Sequence, residues 1–139
     1  LARHAFEARV RTLGAEHPDT LVSHGNLANI FRMQGRRVKA EKILRLSLRI
    51  RARVFGAEHP STLANLHNLA LALADSESDL GEAERLLRQV LEASEKTFGA
   101  EHRDTILVRE DLVDVLSRQG KVEEALALQA LNSEKNSLR

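Results

Sequence analysis

Three of the six histidines in this 139-residue chain could bind a metal or exchange protons, and they recur at a regular interval. His17, His59 and His102 each follow Gly-Ala-Glu in an octapeptide, which reads GAEHPDTL at 14–21, GAEHPSTL at 56–63 and GAEHRDTI at 99–106. A zinc ion needs several ligands about 2 Å from one centre, but only the adjacent glutamate recurs beside each histidine. The pattern therefore predicts no metal site. We expect each histidine to cap the helix that follows it and to fill the corner before that helix.

The remaining polar residues form no catalytic pattern. The sequence contains no phosphate-binding glycine loop, no serine nucleophile elbow and no HExxH pattern. Cysteine is absent, which excludes disulfides and thiolate ligands. The longest apolar run, residues 69–74, is far shorter than the roughly 20 residues that span a bilayer. We expect a folded, cytoplasmic, non-enzymatic protein with no catalytic residues, cofactor or membrane segment.

The octapeptides belong to an internal repeat with steps of 42 and 43 residues. Two further blocks keep the same phase. The first reads Asn26-Leu27-Ala28, Asn68-Leu69-Ala70 and Asp111-Leu112-Val113, and the second is Gly35…Ala40, Gly81…Ala83 and Gly120…Ala125. The one extra residue falls in the polar run 75–79, where a turn can absorb it. A fixed period of this length is typical of stacked structural repeats.

Each period predicts two helices. The first begins at the His-Pro step, because proline suits the first helical position, and Gly35 ends it. Its buried stripe is Leu21, His24, Leu27, Ala28 and Phe31. The second helix runs from about residue 36 to 55, and Gly56 ends it. Its inner stripe is predicted as Val38, Ala40, Ile43, Leu44, Leu48 and Val54.

In this phase, residues 1–14 hold the second helix of an incomplete repeat. Three repeats follow, at 15–56, 57–99 and 100–139, which gives seven helices in all. One hairpin cannot bury its apolar stripe alone, whereas stacked hairpins bury a continuous core. We therefore expect a single all-α array, and a segment of a longer protein, because its first repeat is incomplete.

At these blocks the sequence resembles the tetratricopeptide repeat, in the long variant of about 42 residues found in kinesin light chains. The resemblance covers essentially the whole chain. It rests on Asn26-Leu27-Ala28, Phe31, Gln34-Gly35, Ala40-Glu41 and Leu44, followed by Arg51 and the run 54–60. It implies a right-handed superhelical solenoid of antiparallel hairpins and a role in binding other proteins. The third repeat departs from the pattern at Val113, and at Gln129 and Asn132 it is polar, as a terminal cap would be.

The resemblance also implies a concave groove, lined by the first helix of each repeat, that takes an extended peptide. By position, the groove residues are Asn26, Asn29, Met33, His67, Asn68, Leu71, Glu110, Asp111, Asp114 and Arg118. An asparagine amide can both donate to and accept from a peptide backbone, although Asn26 and Asn68 could instead bond a neighbouring helix. A carboxylate clamp of this family needs a lysine before each asparagine. Gly25, His67 and Glu110 stand there, so chaperone-tail binding is disfavoured.

The net charge is only +1, but the charged residues are unevenly distributed along the chain. Residues 1–54 carry twelve Lys/Arg against four Asp/Glu (+8), and residues 55–139 carry nine against sixteen (−7). Lys42, Arg45, Arg49 and Arg53 are spaced as one stripe along a helix. The stripe is consistent with a solvated face, with an acidic protein partner or with nucleic acid, and the absence of Tyr and Trp disfavours nucleic acid.

Two alternatives to peptide recognition stay open. The basic and acidic halves could attract each other head to tail between copies of the chain. Long arrays of this type also follow nucleotide-binding switch domains in the proteins they resemble, so the chain could be the scaffold or sensor arm of a larger regulatory protein.

Overall fold

A computed structural model describes residues 18–137, and the side chains from residue 20 to residue 132. This part of the chain contains six α-helices: α1 Pro18–Met33, α2 Arg37–Phe55, α3 Pro60–Ala74, α4 Leu80–Phe98, α5 Arg103–Arg118 and α6 Val122–Ser137. A short 3-10 turn, Glu77–Asp79, precedes α4. The described residues thus hold six of the seven predicted helices, because the helix expected over 1–13 lies outside them. Their all-helical architecture agrees with the prediction.

The described residues form two compact units, one ending at Ala72 and the other beginning at Leu73. In the first unit α1 packs against α2. The predicted stripe of α1 is buried throughout, with Leu21, His24, Leu27, Ala28 and Phe31 each at most 7% exposed. Ala28 and Ala40 are at most 1% exposed, as expected of small residues that let two helices approach closely.

The buried side of α2 differs from the prediction. Its buried residues are Ala40, Leu44, Ser47 and Ile50, whereas Val38 is 54% exposed and Val54 is 43% exposed. Val38 lies four residues before Lys42, so at 3.6 residues per turn it projects to the same side as the exposed cations. Val54 belongs to the last turn of the helix, beyond the buried stretch. The prediction was wrong at these two valines because the helix carries aliphatic residues on more than one side.

In the second unit α4 packs on α5, and α5 packs on α6. An ionic cluster around Glu84 joins α4 to the α5–α6 turn. Its carboxylate accepts hydrogen bonds from Arg88, Lys121 and Gln119, each at 2.8 Å. Burial opposes ionisation of Glu84, but these hydrogen bonds and the charge of Arg88 outweigh it and lower the pKa of Glu84 to about 2. No helix in the described part of the chain is both long and apolar enough to cross a membrane.

Glycine ends the first helix of the hairpin in each unit, as predicted. After α1, Gly35 adopts a φ of 76°, the amide of Arg36 donates to Phe31 O at 2.7 Å, and the amide of Gly35 donates to Arg32 O at 3.0 Å. After α5, Gly120 has a φ of 82°, its amide donates to Ser117 O at 3.0 Å, and the amide of Lys121 donates to Leu116 O at 2.9 Å. This is the Schellman arrangement, in which a left-handed residue satisfies carbonyls that the helix end leaves without partners.

The octapeptide histidines act as helix caps. His59 Nδ1 accepts a hydrogen bond from the amide of Ser61 at 3.0 Å, and His102 Nδ1 accepts one from the amide of Asp104 at 3.1 Å. Each imidazole stacks on the phenylalanine that ends the preceding helix, with ring centroids 4.8 Å apart for Phe55–His59 and 4.7 Å apart for Phe98–His102. The predicted capping and corner-filling role is confirmed for both histidines, and His17 lies outside the described residues.

We predict that Gly120→Ala destabilises the protein by about 1 kcal/mol, because an alanine Cβ is strained at positive φ. An added Cβ would meet no atom within 4 Å there, so the loss would come from the backbone alone. Gly81→Ala is the matched control, since Gly81 is helical and equally uncrowded. It should stabilise the protein by about 0.5 kcal/mol. Urea unfolding measures the free energy of unfolding of both variants. Equal changes in the two variants would contradict the role of positive φ at Gly120.

Candidate peptide-binding surface

The solvent-facing side of α1 combines amides with exposed apolar side chains. Asn26 and Asn29 are exposed, and Met33, one turn further on, is 88% exposed. Val22, one turn before Asn26, is 55% exposed. The side chain of Asn26 makes no hydrogen bond with another described residue, so within the described part of the chain the helix–helix alternative has no partner. All three predicted residues of α1 therefore lie together on one accessible stripe.

The predicted residues of α3 lie closer to its core side. His67, Asn68 and Leu71 are half-buried, between fully buried neighbours such as Leu66 and Leu69. Asn68, like Asn26, makes no side-chain hydrogen bond within the described part of the chain. Its amide is therefore available to a ligand that reaches this side of α3.

On α5 the predicted residues form an acidic face. Glu110 and Asp114 are exposed and Asp111 is half-buried. Arg118 shares this side of the helix but is held in two ion pairs, 2.9 Å from Glu77 and 3.6 Å from Asp114. Its charge is thereby balanced, and the face remains negative.

A half-buried arginine holds α1, α2 and α3 together in the first unit. Arg51 of α2 donates to Leu21 O at 2.9 Å and to Ser47 Oγ at 3.0 Å, and it also donates to Ser61 Oγ at the start of α3. Beside it, His24 is 1% exposed. Burial, reinforced by the charge of Arg51, lowers the pKa of His24 to about 4. The imidazole is therefore neutral at pH 7, which avoids a second positive charge beside Arg51.

A second arginine, Arg109, which is fully buried, performs the comparable task in the second unit. It is 2% exposed and donates to Asn132 Oδ1 at 2.7 Å and to Ala100 O at 3.0 Å, with Glu95 3.8 Å away. Asn132 Nδ2 in turn donates to Ile106 O at 3.2 Å. These bonds fix α6 against α5 and so fix the orientation of the acidic face.

The sequence pattern does not predict a role for Arg109, and it predicts Asn132 only as part of a polar end. Gln129 is exposed, but Asn132 is 6% exposed and points into the unit. A signal was present, because position 109 aligns with Leu66, and position 132 aligns with Val90, which are both buried in the second repeat. Two polar changes at core positions of one repeat indicate a buried pair.

Within the described residues, no group of three or more His, Asp or Glu side chains is placed to hold a metal ion. The charged groups that do cluster, such as those around Glu84, are engaged in ion pairs within α4 and with the α5–α6 turn. What the exposed stripes supply is hydrogen-bonding amides, aliphatic contacts and carboxylates.

Comparisons with known proteins agree with this geometry. The sequence pattern of the tetratricopeptide repeat matches residues 1–52, 34–93 and 76–130. No curated protein matches the chain. Two solved forms of a kinesin light chain-like protein from Podosopora anserina, with nearly identical TPR-like repeats, share 29% identity over 98% of this chain. Their TM-scores are 0.84 for a single-substitution variant and 0.82 for the other form.

This chain spans 64% of the length of those two structures. A third structure, BtubC from P. vanneervenii, has a TM-score of 0.88 at 16% identity and covers 99% of this chain, which in turn covers 54% of BtubC. At that identity the likeness shows the fold alone.

We predict that Arg109→Leu and Asn132→Val are each destabilising but compensate in combination. Removing Arg109 leaves a buried amide without its partner, at a cost of about 1–3 kcal/mol. Removing Asn132 leaves a buried guanidinium short of an acceptor and should cost about 3 kcal/mol. The double variant carries the residue types found at the aligned positions of the second repeat, Leu66 and Val90, and should regain most of the loss. Chemical denaturation of the four proteins measures the coupling, and purely additive losses would refute it.

We also predict that His24 makes stability depend on pH between about 6.5 and 4. The folded pKa of about 4 lies below the unfolded value of 6.5. The unfolded chain therefore takes up a proton first as the pH falls, and unfolding becomes easier. The loss should reach on the order of 3 kcal/mol. His24→Leu, which copies Leu66, should remove this component. Urea titrations at pH 7, 5.5 and 4 test it, and parallel pH profiles for the two proteins would count against it.

Proposed function

Because the chain belongs to the tetratricopeptide repeat family, whose repeats generally mediate protein–protein interaction, we propose that it recognises an extended peptide segment of a partner protein. The peptide would lie along the exposed sides of α1 and α3, the first helices of the first two repeats, and α5 carries the corresponding residues of the third repeat. Asn26, Asn29 and Met33 of α1, and Asn68 of α3, would make the principal contacts.

The observation that carries the proposal is the outer stripe of α1. Its two exposed amides lie between Val22 and Met33, while the opposite side of the same helix is buried. An amide that bonds no neighbour can both donate to and accept from a peptide backbone. Exposed methionine adapts its shape to varied apolar side chains. A helix face that contacts only solvent gains nothing from an exposed valine and an exposed methionine on either side of two amides.

The acidic face of α5 adds a preference for charge. In the second unit, Glu110, Asp111 and Asp114 favour a segment that carries lysine or arginine, while Arg118 is balanced by its ion pairs. Like charges across an interface are repelled, so acidic segments are selected against there. The residues before Asn26, Asn68 and Asp111 are Gly25, His67 and Glu110, and none supplies the lysine that would capture a C-terminal carboxylate.

The alternative proposal is that the chain is the scaffold or sensor arm of a larger regulatory protein, since it spans 64% of the length of the kinesin light chain-like structures that it resembles. The peptide-binding surface is the part of the proposal that this chain can test by itself.

We predict that Asn26→Ala combined with Asn68→Ala weakens peptide binding about tenfold without changing the melting temperature. Two hydrogen bonds to a peptide backbone contribute on the order of 1.4 kcal/mol together. The probe is a peptide selected from a random display library on the wild-type chain, labelled with a fluorophore and titrated by anisotropy.

The matched control is Gln89→Ala combined with Gln129→Ala, which removes two exposed amides from the second helices of repeats. It should leave the affinity within about twofold of wild type, a difference of less than about 0.5 kcal/mol. Equal losses in both double variants, or none in the asparagine pair, would exclude amide recognition by α1 and α3.

A further inference from the structure

The outer side of α2 carries a dense row of positive charge. At 3.6 residues per turn, Lys42, Arg45, Arg49 and Arg53 project within about 60° of one line along the helix. All four side chains are exposed. Lys42 and Arg49 make no ion pair with another described residue, and the one acidic residue of α2, Glu41, is bound to Arg37 at 2.7 Å. We refer to this row, together with Val38 and Leu46, as the basic face.

The fold itself does not require this charge. α4 occupies the equivalent position in the second repeat and has the same length, 19 residues. It carries three Lys/Arg against four Asp/Glu, a net charge of −1, whereas α2 carries seven against one, a net charge of +6. In α4 two of the three cations are paired along the helix, Arg88 with Glu84 at 2.8 Å and Arg85 with Glu82 at 3.9 Å. The charge of α2 is therefore a local property of that helix.

The basic face also works against the stability of its own helix. Arg45, Arg49 and Arg53 are four residues apart, and each like-charge pair at that spacing costs a few tenths of a kcal/mol. The first turn of α2 contains no acidic residue, and its N-cap, Arg36, makes no side-chain capping bond. Positive charge there opposes the helix dipole. An anionic partner would relieve both effects.

Aliphatic side chains lie within the same row. Val38 is 54% exposed and Leu46 is 40% exposed, and each is four residues from Lys42, on either side of it. Phosphate groups would gain nothing from contact with valine and leucine, and base stacking uses aromatic side chains, which this face lacks. A surface of exposed aliphatic residues bordered by arginine is typical of protein interfaces.

From the charge and the aliphatic residues together, we infer that the basic face of α2 is a second interaction surface, which binds an acidic amphipathic helix of a partner protein. The partner's carboxylates pair with Lys42, Arg49 and Arg53, and its apolar side contacts Val38 and Leu46. The face spans about 22 Å along α2, from Val38 to Arg53, which matches about four turns of a partner helix. It is separate from the peptide-binding stripe on α1.

The test uses a labelled 18-residue helical peptide made of glutamate and leucine, with the leucines confined to one side. Wild-type chain should bind it in anisotropy titrations at 50 mM salt and lose most of the affinity at 500 mM salt. Lys42→Glu combined with Arg49→Glu should weaken binding at least about tenfold. Leu46→Ser should weaken it about threefold. Circular dichroism melts establish that the variants are folded.

The matched control is Lys96→Glu combined with Arg103→Glu, which makes the same change in net charge at two exposed residues of the second unit that have no ion pair within the described part of the chain. It should alter affinity by less than about twofold. Equal losses in the two charge-reversal variants would overturn the proposal, because binding would then depend on net charge alone. So would tighter binding of a single-stranded oligonucleotide of equal charge, or no binding of the peptide. The Lys42→Glu and Arg49→Glu variant should lose the glutamate–leucine peptide but still bind the library-selected peptide. That result would show that the basic face and the surface on α1 are separate binding sites.

Discussion

Close packing of α1 on α2 is the constraint from which the surfaces of the first unit follow. Leu27, Ala28 and Ala40 are at most 3% exposed, and the alanines let the two helices approach closely. Because α1 buries this side, the residues a half-turn away must face solvent, and Asn26, Asn29 and Met33 are therefore displayed together. The same packing turns Lys42 and Arg49 of α2 outward. Recognition residues need no separate scaffold, since burying one side of a helix determines what its other side presents.

Buried polar residues make the repeats structurally distinct although they share one pattern. The position occupied by Leu66 in the second repeat is His24 in the first and Arg109 in the third. Each polar residue is accommodated in its own way: His24 by losing its charge beside Arg51, and Arg109 by hydrogen bonds to Asn132 and Ala100 O. A buried polar group without partners would cost several kcal/mol. Substitutions at these positions therefore have to occur in compatible sets.

Much of the fold could be predicted from the sequence because its strongest signals are local. The starts of α1 and α3 at Pro18 and Pro60, the glycine ends and the histidine caps all depend on residues within one or two turns of each other. The third octapeptide lacks proline, yet α5 still begins at the equivalent residue, Arg103, with His102 as its cap. The periodic pattern therefore placed this helix where the proline signal was missing.

The features that could not be predicted depend on distant contacts or on ambiguous patterns. Arg109 bonds Asn132, 23 residues away, and nothing in the local sequence distinguishes Arg109 from an exposed arginine. In α2, aliphatic residues occur on both the buried and the exposed sides, so the pattern alone could not show that Ile50 is buried and Val38 is not. Of the candidate site, the exposed position of the α1 residues could be predicted. The ion pair of Arg118 could not be predicted, because its partner Glu77 is 41 residues away in the sequence.

The contrast between α2 and α4 separates what the fold requires from what is left to function. Both helices bury alanine and leucine at matching positions, Ala40 and Leu44 in one and Ala83 and Leu87 in the other, each at most 1% exposed. Their outer sides differ in net charge and in the ion pairs that they form. If the outer charges served only solubility, one net charge would serve as well as another, and opposite charges would be interspersed as they are in α4. A row of like charges lowers helix stability, and it shares its side of α2 with two exposed aliphatic residues. The inner residues of each repeat thus define the helical packing, and the outer residues of each helix can differ from repeat to repeat without changing it.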